Sequence, residues 1–126
     1  MQNAERRMMI MKNPIEEKSF AFAVRSVKLY RHLTEAKKEY VISKQFLRSG
    51  TSIGANVSEA ERGQSKADFV AKMHIALKEA NETEYWLRLL YASEYLSEAE
   101  FQSMERDVNE LISIIVSICK TAQSNK

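Results

Sequence analysis

The segment Ser49–Gly63 reads SGTSIGANVSEAERG and contains all three glycines of the 126-residue chain. A segment rich in glycine and serine is typical of two structures: a loop that cradles a phosphate, or a helix with one face kept small. Its apolar and small residues recur at spacings of four and three, which is the period of an α-helix. The sequence therefore predicts a helix here, with Gly50 and Gly54 on a small face that a neighbouring helix approaches.

A phosphate-binding loop does not fit the same segment. The Walker pattern needs a lysine directly after its second glycine, and it follows a strand. No lysine follows Gly54, and no strand pattern precedes Gly50. Each mid-helix glycine costs about 1 kcal/mol relative to alanine, so close packing has to offset that cost. The packing partner lies either within the bundle or across a subunit boundary, and we expect Asn56 to hydrogen-bond inside or between bundles.

The same four-and-three spacing extends outward into three further segments. Capping residues mark the expected helix starts at Asn13, Ser65 and Ser97. The prediction is an all-α protein, an antiparallel up-and-down four-helix bundle over residues 13–123. Residues 1–12 are expected to form a flexible N-terminal tail. The four helices are predicted at about 14–37, 40–62, 65–93 and 97–122.

The composition argues against a disulfide-bonded protein and against a membrane-spanning one. The single cysteine, Cys119, excludes an internal disulfide, and no segment is long and apolar enough to span a membrane. We therefore expect a cytoplasmic protein with no membrane contact. The two histidines, His32 and His74, lie on different predicted helices, and neither follows a glutamate by three residues as di-metal bundles require. The sequence predicts no catalytic residue, no metal site and no cofactor, and hence a protein that is not an enzyme.

Charge is distributed unevenly along the chain. Residues 18–48 hold eight basic and two acidic residues, whereas residues 79–110 hold two basic and nine acidic ones. This asymmetry favours either contact with nucleic-acid phosphates or pairing between the charged faces of neighbouring subunits. An ordinary solvated face is the plainer interpretation. The candidate nucleic-acid site is a basic face of the first two helices, formed by Arg25, Lys28, Arg31, Lys44 and Arg48.

Two segments carry more apolar residues than are required to cover the one face of a helix that packs into a four-helix bundle. These are EYWLRLLY at residues 84–91 and LISIIVSIC at residues 111–119. Helices that are apolar beyond one stripe are usually covered by another surface, which suggests a subunit interface. A wide core face is the alternative. The candidate interface residues are Tyr85, Trp86, Ile112, Ile114 and Val116.

The stretch SKQFLRSGTSIGANVSEAERGQSKADF at residues 43–69, followed by ALKEANETE at residues 76–84, resembles a known family. It is similar to the small four-helix proteins encoded by intervening sequences in bacterial 23S rRNA genes. The resemblance covers roughly residues 15–122. Two positions depart from the pattern: Gly54, where the family often has proline, and Ala60, where it often has glycine. The family's recurring core is matched by Gln45, Arg48, Ser52, Ile53, Ala55, Asn56, Val57 and Glu59.

The resemblance implies a bundle that assembles into a ring-shaped homopentamer and has no established catalytic residues. A similar bundle, the accessory variability protein of diversity-generating retroelements, binds nucleic acid and a reverse transcriptase through a basic surface. The resemblance therefore implies RNA or DNA as a partner. Two hypotheses follow for this chain: a bundle that binds nucleic-acid phosphates, or an assembly or adaptor module whose charged faces pair between subunits or with a protein partner.

Overall fold

The computed structural model describes residues 13–124, and within them the chain forms four α-helices and no strand. Consecutive helices pack against one another, and the first helix closes the bundle on the last. The predicted all-α four-helix bundle is thereby confirmed, whereas the predicted tail at residues 1–12 lies outside the described residues. The helices are α1 (Pro14–Glu35), α2 (Ile42–Glu61), α3 (Lys66–Ala92) and α4 (Glu98–Ser124).

Side-chain caps decide where most helices begin. The Asn13 side chain accepts a hydrogen bond from the backbone N–H of Ile15 at 3.0 Å, and Pro14 occupies the first position of α1. At α4, Ser97 and Glu100 cap reciprocally: each backbone N–H donates to the other residue's side chain. This is the capping box that the sequence indicates.

Helix α2 begins two residues later than predicted, because a carboxylate caps it. Buried Glu39 accepts hydrogen bonds from the backbone N–H groups of Val41, Ile42 and Ser43 at 2.6 to 3.0 Å. Burial opposes ionisation of this carboxylate, but the three hydrogen bonds outweigh it and lower the pKa of Glu39 below its ordinary value. Before it, Lys38 adopts a left-handed conformation (φ 57°) that turns the chain out of α1. The connection between α1 and α2 is therefore firmly anchored.

The helix that approaches the two glycines of α2 is α1 of the same bundle. A Cβ atom at Gly50 would lie 2.6 Å from the Ser26 hydroxyl, and one at Gly54 would lie 3.2 Å from the Ser19 carbonyl oxygen. Both serines are themselves buried, so small residues on both helices make the close approach possible. The Asn56 amide donates to the carbonyl of Ser52, one turn earlier on α2, so its hydrogen bond lies inside the bundle.

Apolar side chains from all four helices fill the centre of the bundle. One buried polar contact crosses this core: the hydroxyls of Ser49 and Thr83 hydrogen-bond at 2.8 Å between α2 and α3. Among the described residues, no helix is both long and apolar enough to cross a membrane. The largest fully buried side chains include Phe22, Leu33, Phe46, Ile53, Met73, Leu87, Leu111 and Ile115.

Candidate nucleic-acid interface

The basic side of α1 lies against the acidic side of α4. Arg25, a predicted phosphate ligand, forms an ion pair with Asp107 and also donates to the Ser103 hydroxyl at 2.9 Å. The three basic residues of this seam are seven positions apart, which places them on one stripe of α1. Two of the four lysines and arginines on α1, Lys18 and Arg25, are thus paired within the bundle. The pairs across the seam are Lys18–Glu110, Arg25–Asp107 and His32–Glu100.

The seam between α2 and α3 repeats this arrangement. Arg48, a second predicted phosphate ligand, donates to the Glu82 carboxylate at 2.7 Å and lies 4.0 Å from that of Glu79. The indole N–H of Trp86 donates to the same Glu82 oxygen at 3.0 Å. Arg48 therefore already has an anionic partner, and that partner is held in place by a second donor.

The other three predicted phosphate ligands are free of such pairs. Lys28, Arg31 and Lys44 are exposed and form no ion pair with any described residue. Lys38, which was not among the predicted ligands, is exposed in the same way between α1 and α2. These four residues occupy the last two turns of α1, the connection and the first turn of α2. We call them the cationic end.

One signal in the sequence points to Lys38. Lys38 belongs to the pair Lys37-Lys38, which directly follows the last turn of α1. Lysines at this position interact favourably with the negative end of a helix, so the pair alone does not indicate a phosphate site. Lys37 differs from its neighbour. Hydrogen bonds from Ser97 lower the pKa of Glu100 most, and His32 and Lys37 lower it further, so Lys37 already interacts with a carboxyl group of the same bundle. For this reason Lys37 is not counted in the cationic end.

Most of the predicted interface residues serve their own bundle. Trp86, Ile112 and Ile114 pack against the core, and Val116 is half-buried. Only Tyr85 among the five is largely exposed, at 48%. Their packing against the core fits the wide core face that the sequence left as the alternative, and the subunit interface stays a prediction.

Two exposed apolar side chains lie close together on α1. Phe20 is 44% exposed and Val24 is 40% exposed. The two residues are one helical turn apart, so they lie on the same face. This pair, which we call the α1 apolar patch, was not among the residues that the sequence assigned to an interface.

The seam between α3 and α4 carries a pair of carboxyl groups. A hydrogen bond to Glu84, together with burial, raises the pKa of Glu105 to about 7. Arg88 donates to Glu84 at 3.0 Å and partly offsets this effect. Near neutral pH the two carboxyl groups are therefore able to share a proton.

The remaining chemically reactive side chains have structural surroundings. Cys119 is buried, and burial raises the pKa of its thiol, which disfavours the nucleophilic thiolate. His32 faces Glu100 across the α1–α4 seam, and His74 contacts Gln123 at 3.3 Å. Residues 13–124 contain no group of three or more His, Cys, Asp or Glu side chains placed to hold a metal ion.

Comparison with known proteins adds three findings. A sequence profile of the 23S rRNA-intervening sequence protein family matches residues 11–117. A crystal structure from Bacteroides thetaiotaomicron, described as a protein of unknown function from the S23 ribosomal protein family, is similar in sequence and fold. It is 55% identical, with a TM-score of 0.83 over 84% of this chain and 95% of that one. No curated protein matches the chain. Neither the family nor the solved relative points to a catalytic activity.

Proposed function

The chain belongs to the 23S rRNA-intervening sequence protein family, and from this starting point we propose that it binds the phosphates of RNA or DNA through its cationic end. The function of the family is unknown, so the proposal rests on the charges of this chain. The observation that carries it is the division among the basic residues. Arg25 and Arg48 are paired with carboxylates, whereas the cationic end has no ion pair within residues 13–124.

This division matters because paired and unpaired cations lose different amounts of free energy when they bind a phosphate. A paired arginine has to give up its carboxylate before it contacts a phosphate. An exposed lysine or arginine without a partner gives up only water, and the phosphate releases its condensed counterions. Arg25 and Arg48 are accordingly expected to stabilise the bundle, while the cationic end binds the ligand.

Fluorescence anisotropy with a labelled RNA over a series of salt concentrations tests this proposal. The logarithm of the affinity should fall linearly with the logarithm of the salt concentration. The variant Arg31→Gln/Lys38→Gln/Lys44→Gln should bind more weakly. Its salt slope should be smaller by about three, or about one for each phosphate that the variant no longer neutralises.

The matched control is Lys78→Gln/Arg106→Gln/Lys120→Gln. It removes one arginine and two lysines that are exposed on α3 and α4 and form no ion pair with a described residue. This control should retain the affinity and salt slope of the unmodified protein. Equal losses in the two variants would mean that only net charge matters, and the proposed site would be wrong. Failure of the unmodified protein to bind RNA or DNA at low salt would refute the function itself.

We also propose that copies of the chain assemble, with the homopentamer implied by the family resemblance as the expected state. The α1 apolar patch supports this proposal, because exposed apolar pairs on a helix face favour burial against another surface. The ion pairs inside the bundle leave fewer charges for pairing between subunits. The patch is therefore a better candidate contact than the charged faces. Native mass spectrometry reports the stoichiometry directly, and a monomer throughout the micromolar range would contradict the proposal.

A further inference from the structure

An exposed aromatic side chain lies in the middle of the cationic end. Tyr40 is 58% exposed in the non-helical connection between α1 and α2, and the next residue, Val41, is 73% exposed. Lys38 and Lys44 flank this pair along the chain. The Tyr40 ring makes no hydrogen bond and no ring contact with any described residue. A large, partly apolar ring is thus left open to solvent beside lysines that form no ion pair within the described part of the chain.

The backbone that carries Tyr40 is held in place on both sides. The N–H of Glu39 donates to the carbonyl of Leu33 at 2.9 Å, and the Glu39 carboxylate binds the first N–H groups of α2. Lys38 fixes the turn between them through its left-handed conformation. A ligand that contacts the ring therefore does not have to order a loose loop first, which lowers the entropy lost on binding.

We propose that Tyr40 is a stacking platform for an unpaired base, so that the cationic end prefers single-stranded RNA or DNA over a duplex. This inference rests on the proposed function and identifies its ligand class. Proteins that hold single strands combine cations that follow the backbone with aromatic rings on which bases stack. In a duplex each base is already stacked between its neighbours and paired to its partner. Only a single strand offers Tyr40 a free base face.

The surrounding charge favours a nucleic acid over an apolar protein surface as the occupant. Residues 28–44 contain five lysines and arginines but only two acidic residues. One of those acids, Glu39, is buried in the cap of α2, so it contributes little to the exposed surface. A polyanion that also carries flat ring systems matches both properties of this surface.

The test compares a labelled single strand with a duplex of the same sequence by fluorescence anisotropy. Alanine substitution of a stacking residue costs about 1 to 3 kcal/mol per base, so Tyr40→Ala should weaken single-strand binding by about 5- to 150-fold. Duplex affinity should not change. Tyr40→Trp should retain single-strand binding, and Tyr85→Ala, which removes another exposed tyrosine, should have no effect.

An abasic strand of the same length separates stacking from phosphate binding. Both the unmodified protein and Tyr40→Ala should bind it equally, because neither finds a base to stack. If Tyr40→Ala keeps full single-strand affinity while binding remains salt-dependent, the stacking inference is overturned and phosphate binding stands. If the unmodified protein binds no nucleic acid, the proposed function fails first. Loss of the oligomer in Tyr40→Ala would assign the ring to a subunit contact and also overturn the inference.

Discussion

At the scale of single residues, two glutamates with opposite surroundings show how position sets the charge of a carboxyl group. Glu39 accepts three backbone hydrogen bonds at the start of α2, and these keep it ionised although it is buried. Glu105 faces another carboxyl group, and its pKa rises to about 7. The surroundings of Glu39 stabilise its ionised form, whereas those of Glu105 stabilise its protonated form. Acid therefore lowers the contribution of Glu39 to the stability of the fold and favours that of Glu105.

The raised pKa of Glu105 predicts a pH dependence of stability. The contribution of Glu105 to the free energy of unfolding is fully present at a pH below its ordinary pKa of 4.5, and it is lost as the pH rises through about 7. Glu105→Gln cannot ionise, so its unfolding free energy should lack this decline. Because the side chain is partly solvated, we expect the difference to be on the order of 1 kcal/mol.

Urea denaturation of both proteins at a series of pH values from about 4.5 to above 7 measures this difference. Glu110→Gln is a suitable control, since Glu110 is half-exposed and paired with Lys18 on another seam. Parallel pH profiles for the unmodified protein and Glu105→Gln would show that the two carboxyl groups do not share a proton.

At the scale of helices, α1 and α2 approach closely because the glycines of α2 at this contact have no side chain. Gly50 faces the Ser26 hydroxyl and the ring of Phe22 across this contact. A larger residue at Gly50 meets packed atoms rather than solvent, and helix propensity alone would favour the change by about 1 kcal/mol. Sterics and propensity therefore act in opposite directions at this position.

Gly50→Leu should unfold the bundle or lower its stability by at least about 3 kcal/mol, because an overpacked helix contact has to separate. Circular dichroism during thermal and urea unfolding provides the measurement. The control is Ala55→Leu, which places the same side chain at an exposed position of the same helix and should cost less than about 0.5 kcal/mol. If Gly50→Leu folded with unchanged stability, the close approach of α1 and α2 could not be the reason for the glycine.

At the scale of the whole molecule, ion pairs lie along two seams of the bundle, and the α1 apolar patch is exposed. The pairs join α1 to α4 and α2 to α3, so the basic and acidic parts of the sequence partly neutralise each other inside one subunit. These pairs account for part of the charge asymmetry without a nucleic acid or a second subunit. The proposed contact between subunits, the α1 apolar patch, is apolar, and this sets an expectation for how salt affects the oligomer.

The proposed oligomer should therefore survive high salt, because salt weakens exposed ion pairs but strengthens or spares apolar contacts. Phe20→Glu/Val24→Glu should dissociate it, as measured by native mass spectrometry and size-exclusion chromatography with light scattering. Ala71→Glu/Ile75→Glu introduces the same two charges one helical turn apart at exposed positions of α3, and it should leave the assembly intact. Dissociation of the unmodified protein by salt would instead favour subunits joined by their charged faces.

The sequence alone determined the four helices, the capping box at α4 and the family. These features depend on residues within a few positions of one another. The helical period indicates the helices, a cap and its partner three residues later indicate the capping box, and a contiguous signature around Ser49–Gly63 indicates the family. Their physics is local, so one chain is sufficient to infer them. The spacing also placed Gly50 and Gly54 on one face of α2, but it did not decide which helix met that face.

Only the tertiary structure decided which cations are available. Arg25 meets Asp107 and Arg48 meets Glu82, partners that are 82 and 34 residues away in sequence. Periodicity places each residue on a helix face, but the rotation and relative height of two packed helices decide whether opposite charges meet. The same geometry made Trp86, Ile112 and Ile114 part of a wide core. The cationic end is therefore the group of basic residues around the connection between α1 and α2 to which packing supplied no acidic partner among the described residues.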